Sequence, residues 1–462
     1  MLFSSIPFLY YFLPAVLLLY FLSPKKLRNT TLFFSSLVFY AWGEPIYVFL
    51  MLGTIACGYF FALGIEKYRK RTASRVLLVL SVIVSLSSLL YFKYADFFIS
   101  NVNAATGLSI PLLGIALPIG ISFYTFQILS YTVDVYRGDV PAQRNPINLA
   151  AYITMFPQLI AGPIVRYIDV EHSLSDRTSS SEDFAYGARR LILGLSKKIL
   201  IANQLGELVK IFHASQDKSV AFFWMYAIAF TLHVYFDFSG YSDMAIGLGR
   251  IFGFKFMENF NYPFVSKSIS EFWRRWHISL GSWFRDYVYI PLGGNRVKKG
   301  RFIFNILVVW CLTGFWHGAE WTFAVWGLYF AVLLLAEKLF LGRYIDKNRI
   351  VAHLYVFLFV LISFVIFDAK TLPDALSYIG AMFGAGEYPL ANAEFFYYLR
   401  SYAPLFAVAI IGSTPALKHF IGKTQLGQRL SLLEAPVLCI LLILITAYLV
   451  DGSFNPFLYF RF

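Results

Sequence analysis

Long apolar stretches alternate with short basic clusters along the whole chain. Residues 6–22 and 351–367 contain no Asp, Glu, Lys or Arg, and residues 220–238 contain one acid. A helix needs about 20 mostly apolar residues to cross a bilayer, whereas the strands of a transmembrane barrel alternate apolar and polar residues. The pattern therefore predicts an all-α, polytopic integral membrane protein.

The basic clusters predict how these helices are oriented. They lie at 25–28, 67–75, 343–349 and 418–429, and short loops rich in Lys and Arg stay on the cytoplasmic side. With these clusters inside and both ends of the chain outside, the apolar stretches predict roughly 11–13 transmembrane helices. No additional soluble domain is evident in the sequence, so we expect a single membrane-embedded domain over 1–462.

Composition excludes a soluble enzyme. Hydrophobic residues make up 58% of the chain and charged residues 14%, against about 25% charged residues in a soluble domain. The net charge of +13 is accounted for by cytoplasmic loops and calls for no nucleic-acid partner. Cys57, Cys311 and Cys439 are far apart in apolar runs, so we expect neither a disulfide nor a metal site.

Two segments depart from a regular series of spans. Residues 147–165 are apolar but contain a proline at 157 and a Gly-Pro pair at 162–163, which favours a re-entrant or broken helix beside a cavity. Residues 239–301 lack a clear span, and from Arg250 onward they hold ten Lys or Arg against three Asp or Glu. We expect this block to be basic and amphipathic and to lie at the cytoplasmic face.

His317 is the first candidate for chemistry, because an ionisable group between two apolar runs is costly. If its helix continues, Thr313 and Trp321 lie one turn away on the same face. Gly314 and Gly318 would then leave an open slot beside the imidazole for an elongated substrate. Alternatively, the two glycines pack two helices together and His317 is a hydrogen-bonded core residue.

His277 is the second candidate. Drawn as one helix, Ser270–Tyr287 places His277 and several aromatic residues on one face and arginines on the other, as in a helix at the cytoplasmic interface. The arginines match the phosphates of a polyanionic ligand, or they bind lipid headgroups while His277 reaches the interface. The candidate substrate-binding residues are Trp273, Trp276, Arg274, Arg275, Arg285, Trp316, Trp321 and Thr313.

Several motifs in a fixed order resemble the membrane-bound O-acyltransferases, most of all the membrane subunits of bacterial alginate O-acetyltransferase. They are FYTFQ at 123–127 with YTVDVYR at 131–137, FPQLIAGP at 156–163, FDFSGYSDMA at 236–245, NFNYP at 259–263 with WRRWH at 273–277 and YIPLGG at 289–294, and WHGAEW at 316–321. The resemblance implies that His317 is the catalytic histidine and His277 a supporting or co-catalytic residue. It also implies helices around a central funnel, with His317 reachable from both sides.

The resemblance further implies an O-acetyltransferase of the bacterial cytoplasmic (inner) membrane. Such an enzyme takes acetyl from cytoplasmic acetyl-CoA, has no permanently bound cofactor, and delivers acetyl through an extracytoplasmic partner protein to a hydroxyl of an alginate-like polysaccharide. As general base, neutral His317 takes the proton of the attacking hydroxyl. The oxyanion needs a hydrogen-bond donor, which is His277, a nearby Trp or a backbone N–H.

The C-terminal tail, 451–462, is rich in aromatic residues and is expected outside. A similar terminal aromatic motif recurs in the group that the chain resembles. One hypothesis is therefore that Tyr459 accepts the acetyl group at His317 and passes it to the partner. The alternative is an interfacial anchor in which Arg461 reaches the headgroups.

Other functions stay open on the sequence. A carrier of an anionic substrate also combines broken helices with polar groups near the midplane. The same acyl chemistry serves other acceptors, such as peptidoglycan, cellulose or teichoic acid. A scaffold subunit with no activity of its own is a further alternative.

Overall fold

The computed structural model describes residues 1–160, 162–345, 347–425 and 432–452. Within these ranges every regular element is a helix and no β-strand occurs, which confirms the predicted all-α class. The longer α-helices are Leu13–Leu22, Arg28–Ala41, Tyr47–Lys67, Thr72–Leu89, Ala95–Thr106, Ile121–Arg137, Ser181–Ser196, Asn203–Ala214, Val220–Ile251, Lys299–His317, Trp321–Ala336, Arg349–Asp368, Leu372–Met382, Ala393–Gly412 and Glu434–Asp451. The shorter ones are Pro146–Thr154, Phe156–Leu159, Tyr167–Ser175, Ile269–Arg275, Ile278–Phe284, Gly342–Ile345 and Ala416–Lys423. π-Helical turns occur at Pro7–Phe12, Leu90–Tyr94, Lys197–Ala202, Arg285–Tyr289 and Glu337–Leu341.

Among the described helices, seven are long and apolar enough to cross a membrane, which confirms the polytopic class. They are Tyr47–Lys67, Thr72–Thr106, Val220–Ile251, Trp321–Ile345, Arg349–Asp368, Ala393–Gly412 and Glu434–Asp451. This is fewer than the 11–13 that the apolar stretches predicted. Other expected crossings form shorter or more polar helices: Ile121–Arg137 has 17 residues, and Lys299–His317 begins with Lys-Gly-Arg.

One predicted boundary is wrong. The helix that starts at Val220 continues to Ile251, so the first part of the 239–301 block belongs to a candidate span and not to an interfacial segment. The helix Ile121–Arg137 begins directly after Gly120, which is in the left-handed region (φ 77). A side chain at Gly120 would lie 2.8 Å from the backbone oxygen of Leu159, so only glycine fits there.

The interrupted segment near residue 157 is a broken helix, as predicted. The helix Pro146–Thr154 ends where Met155 leaves the helical region (ψ 109), and the short helix Phe156–Leu159 follows. Met155, Phe156 and Leu159 are fully buried. This irregular backbone therefore lies inside protein, which is where a membrane protein tolerates a broken helix.

The described chain divides into two compact units. The first comprises 1–191 with 244–257, and the second comprises 192–243 with the described part of 258–462. The division falls within the helix Val220–Ile251. The prediction of one domain over the whole chain stays a prediction.

In the first unit, the segment 244–257 is bonded to the N-terminal part of the chain. Tyr20 donates through its hydroxyl to the carbonyl of Phe252 at 2.7 Å, and Arg177 Nε donates to the same carbonyl at 3.0 Å. The Arg177 guanidinium also lies 4.4 Å from the ring centre of Phe254. An aromatic face and a buried carbonyl thus stabilise this half-buried cation.

In the second unit, the helix Lys299–His317 packs backbone to backbone against Trp321–Ala336. A Cβ at Gly314 would lie 2.3 Å from the carbonyl oxygen of Phe323, and one at Gly327 would lie 2.3 Å from that of Trp310. Small residues allow this approach in membrane helices. The open slot expected beside Gly314 is therefore filled by the next helix, and the predicted alternative of helix packing is confirmed for this glycine.

Replacing Gly314 or Gly327 by alanine should destabilise the second unit. The added methyl group meets a backbone oxygen that cannot move away, so we expect a loss of about 1–3 kcal/mol. The melting temperature of the purified protein in nanodiscs measures this loss of stability. Gly300→Ala, in the same helix with nothing near its Cβ position, is the matched control and should not lower the melting temperature, since alanine favours a helix over glycine. An unchanged value for Gly314→Ala would contradict the close packing.

Candidate active site

His317 is the last residue of the helix Lys299–His317. The following residue, Gly318, is extended, and a Cβ there would lie 2.1 Å from the ring of Phe323. The chain therefore turns at Gly318, and Trp321 begins the next helix with 55% of its surface exposed. The expectation that Trp321 lies one turn above His317 on the same helix is wrong.

Aromatic rings enclose the imidazole of His317. The ring centres of Trp326, Trp316 and Phe367 lie 4.9, 5.0 and 5.4 Å from it, and each meets it edge to face. Trp326 and Phe367 come from the two long helices that follow in sequence. His317 is only 5% exposed, so its imidazole lies in an apolar pocket that excludes most water. We call Trp316, Trp326 and Phe367 the aromatic cage.

His277 lies at a break between two short helices. The helix Ile269–Arg275 ends before it and Ile278–Phe284 begins after it, while His277 itself is in the left-handed region (φ 46, ψ 53). The predicted single helix over 270–287 is therefore wrong. The same residues nevertheless divide into a buried and an exposed side as predicted, since the hydrophobic period continues across the break.

Hydrogen bonds from a neighbouring segment hold this break in place. Asn261 N–H donates to the carbonyl of Arg275 at 2.9 Å, and Ile278 N–H donates to the carbonyl of Asn259 at 3.0 Å. These bonds fix the backbone on both sides of His277. A left-handed backbone at a residue other than glycine costs about 1–3 kcal/mol, and it persists only where the surroundings determine it.

The His277 side chain belongs to a buried polar network. Its Nδ1 lies 3.2 Å from Asn259 Oδ1, which also accepts from the Ser279 hydroxyl at 2.9 Å. Asn259 Nδ2 donates to the Ser242 hydroxyl at 3.1 Å. Burial lowers the pKa of the His277 imidazole to about 3, so the ring is neutral near pH 7.

One indole joins the two predicted histidines. The ring of Trp316 lies 5.0 Å from that of His317 and 5.7 Å from that of His277. Phe238 packs edge to face on His277 at 4.6 Å. The structure therefore places both histidines against the same indole in the second unit, although 40 positions separate them in sequence.

The other candidate binding residues occupy different places. Thr313 is buried, and its hydroxyl donates to the carbonyl of Val309. Trp273 packs on Trp326 at 5.6 Å, behind the aromatic cage. Trp276 is 5% exposed and belongs to the hydrophobic core of the second unit.

The arginines lie mainly at the surface. Arg274 and Arg285 are exposed. Arg275 pairs with Glu271 at 2.9 Å, and Arg285 pairs with Asp286 at 2.8 Å. These two ion pairs offset part of the positive charge that a polyanionic ligand would meet.

Sequence reasoning missed several residues of this pocket. Trp326 and Phe367 lie in uniformly apolar runs that carry no distinguishing signal. Asn259 had a signal, since it opens the NFNYP motif, but its contact with His277 depends on tertiary structure. Elsewhere in the second unit, Lys198 forms a buried ion pair with Asp237 at 2.5 Å, which the basic character of its neighbourhood concealed. Tyr459 lies outside the described residues.

Comparisons with known proteins give the family. Residues 141–368, which include both histidines, match the membrane-bound O-acyltransferase family. The chain is 44% identical to the probable alginate O-acetylase AlgI of Azotobacter vinelandii, over 85% of this chain and 80% of that protein. It is 35% identical to the peptidoglycan O-acetyltransferase of Helicobacter pylori, over 83% of this chain and 80% of that protein. It is 30% identical to the teichoic acid D-alanyltransferase of Bacillus subtilis, over 54% and 69%. The chain therefore belongs to the membrane-bound O-acyltransferase family and is a multi-pass membrane O-acyltransferase.

Proposed function

We propose that this protein transfers acetyl from cytoplasmic acetyl-CoA across the bacterial cytoplasmic membrane, for O-acetylation of an alginate-like polysaccharide. The observation that carries the proposal is the buried His317 inside its aromatic cage. Identity to the probable alginate O-acetylases supports the acceptor. Access to His317 from both sides of the membrane is part of this proposal.

His317 is the general base of the proposed reaction. Its imidazole takes the proton from the attacking hydroxyl while the new C–O bond forms at the acyl carbon. The C–S bond then breaks, and the departing thiolate receives the proton from the imidazolium. Since His317 ends a helix, the partial negative charge of that helix terminus stabilises the transient cation.

Trp326 is the candidate donor to the oxyanion. Its indole Nε1–H is buried, and no acceptor for it is found among the described residues. Its ring lies 4.9 Å from that of His317. A hydrogen-bond donor held in a pocket that excludes water stabilises the developing negative charge most strongly.

The basic block supplies the proposed contact with the phosphates of acetyl-CoA. The exposed cations that match phosphate oxygens are Arg274, Arg285, Arg296, Lys298 and Lys299. Lipid headgroups of the bilayer compete for the same residues.

Beyond the membrane, the proposal includes an extracytoplasmic partner that hands acetyl to the polymer. Tyr459 would accept acetyl at His317 through its phenol oxygen and present the ester to this partner. Some relatives act on peptidoglycan or teichoic acid, so these acceptors are alternatives to the polysaccharide. A D-alanyl group is the alternative to acetyl.

His317→Ala should abolish turnover of acetyl-CoA by the purified protein in nanodiscs. Loss of a general base costs roughly 10²–10⁴-fold in rate. Release of free thiol measures it, and His419→Ala, an exposed histidine, is the control that should keep the wild-type rate. Full turnover in His317→Ala would place the chemistry elsewhere, and no thiol release by the wild type, with or without the partner, would favour a carrier.

Trp326→Phe should lower kcat by about 10²–10³-fold with little change in KM, because it removes the N–H while keeping the ring. The same thiol-release assay measures both constants. Trp310→Phe is the matched control, since Trp310 packs in the same aromatic cluster 6.5 Å from Trp326. A normal kcat for Trp326→Phe would exclude the indole as the oxyanion donor.

Tyr459→Phe should retain acetyl-CoA hydrolysis but abolish acetylation of the polymer when the partner is present. The substitution keeps an aromatic anchor and removes only the hydroxyl. Tyr448→Phe, in the last described helix, should leave polymer acetylation unchanged. Mass spectrometry of the polymer measures acetyl content, and normal content in Tyr459→Phe would exclude the shuttle and leave the anchor.

A further inference from the structure

The orientation of the Asn259 side chain is fixed by the main chain. The backbone N–H of Ser279 lies 3.2 Å from Asn259 Oδ1. A backbone N–H only donates, so the Asn259 atom that faces it must be the oxygen and not the amide nitrogen. The amide nitrogen then points to Ser242, whose hydroxyl accepts from it at 3.1 Å.

This orientation determines which nitrogen of His277 carries the proton. The Ser279 hydroxyl lies 3.5 Å from His277 Nδ1, but it gives its one hydrogen to Asn259 Oδ1 in the shorter contact of 2.9 Å. Asn259 Oδ1 lies 3.2 Å from His277 Nδ1 and has no hydrogen to donate, so Nδ1 is the donor. A neutral imidazole has a single N–H, and burial keeps this ring neutral. His277 Nε2 therefore carries a lone pair.

That lone pair has no hydrogen-bond partner among the described residues. His277 is 1% exposed, its Nε2 is buried, and no group in the described part of the chain donates to it. Buried polar atoms in proteins are nearly always hydrogen-bonded. Since the ring also contacts Trp316 of the aromatic cage, the missing donor fits a bound substrate.

We propose that Asn259 is a positioning residue that holds His277 with its proton on Nδ1, so that Nε2 accepts a hydrogen bond from an O–H or N–H group of the substrate. The tautomer follows from the structure alone, whereas its use by substrate rests on the proposed acyl transfer. In this arrangement neutral His277 cannot donate to the oxyanion through Nε2. The oxyanion donor is then an indole or backbone N–H, and not His277 as one expectation had it.

The tautomer is measurable without any activity. In ¹⁵N-histidine-labelled protein in nanodiscs, the signals of His277 are those missing from the spectrum of His277→Gln. Solid-state NMR should show a protonated Nδ1 and an unprotonated Nε2 near pH 7. A protonated Nε2 in the wild-type protein would overturn the proposal directly.

Two variants test whether Asn259 is responsible. Asn259→Leu removes the acceptor and should shift His277 towards a mixture of tautomers. Ser242→Ala removes only the contact on the far side of Asn259 and should leave the Nδ1–H tautomer in place. An unchanged tautomer in Asn259→Leu would overturn the positioning role; if that variant does not fold, the wild-type spectrum still decides the tautomer.

Turnover identifies the substrate group that Nε2 meets. We expect Asn259→Leu to lose about 10-fold or more in kcat/KM, the scale seen when the partner that orients a metal-bound histidine is removed, with Ser242→Ala close to wild type. The same rates are measured with a short acetyl thioester that has no amide. If kcat/KM falls with acetyl-CoA but not with this thioester, the contact is to an amide N–H of the acyl donor. If kcat/KM falls with both donors, the contact is to the attacking hydroxyl, and if it falls with neither, the substrate contact is overturned. Absence of turnover in the wild type would contradict the proposed function, while the NMR result would still test the tautomer.

Discussion

A close backbone contact between two consecutive helices sets the position of His317. Gly314 and Gly327 allow the helices Lys299–His317 and Trp321–Ala336 to approach so closely that neither position tolerates a Cβ. The contact lies within one turn of His317, and it places Trp326 against the imidazole. Geometry at the site therefore depends on two residues that have no side chain.

The low polarity of the pocket makes its few polar groups decisive. In such surroundings a polar atom is stable only when it is hydrogen-bonded, and a charge only when it is paired. Asn259 is hydrogen-bonded to His277, and Ser242 and Ser279 are hydrogen-bonded to Asn259. Elsewhere in the second unit, Lys198 pairs with the buried Asp237. Two buried groups that find no hydrogen-bond partner among the described residues, His277 Nε2 and Trp326 Nε1, are then available to a substrate.

The all-α membrane fold class could be predicted from sequence, and so could both histidines as candidates for the site, because hydropathy and ordered motifs are local signals. Helix continuity could not be predicted at His277, since the 3.6-residue hydrophobic period is the same on both sides of the break and the hydrogen bonds that cause it come from Asn259 and Asn261. The glycines near His317 allowed either an open slot for substrate or close packing of two helices. Only the position of the next helix decides between these two interpretations. Trp326 and Phe367 carried no signal, because a cage residue in an apolar run has the same sequence pattern as a lipid-facing one.

We propose that acyl transfer takes place at His317 within the aromatic cage. The most direct test is a cryo-EM structure of the protein in nanodiscs with a non-hydrolysable analogue of acetyl-CoA. We expect the acyl carbonyl beside the His317 imidazole, with room for an attacking oxygen about 3–3.5 Å from the carbonyl carbon. An acyl group bound outside the cage, away from His317, would contradict it.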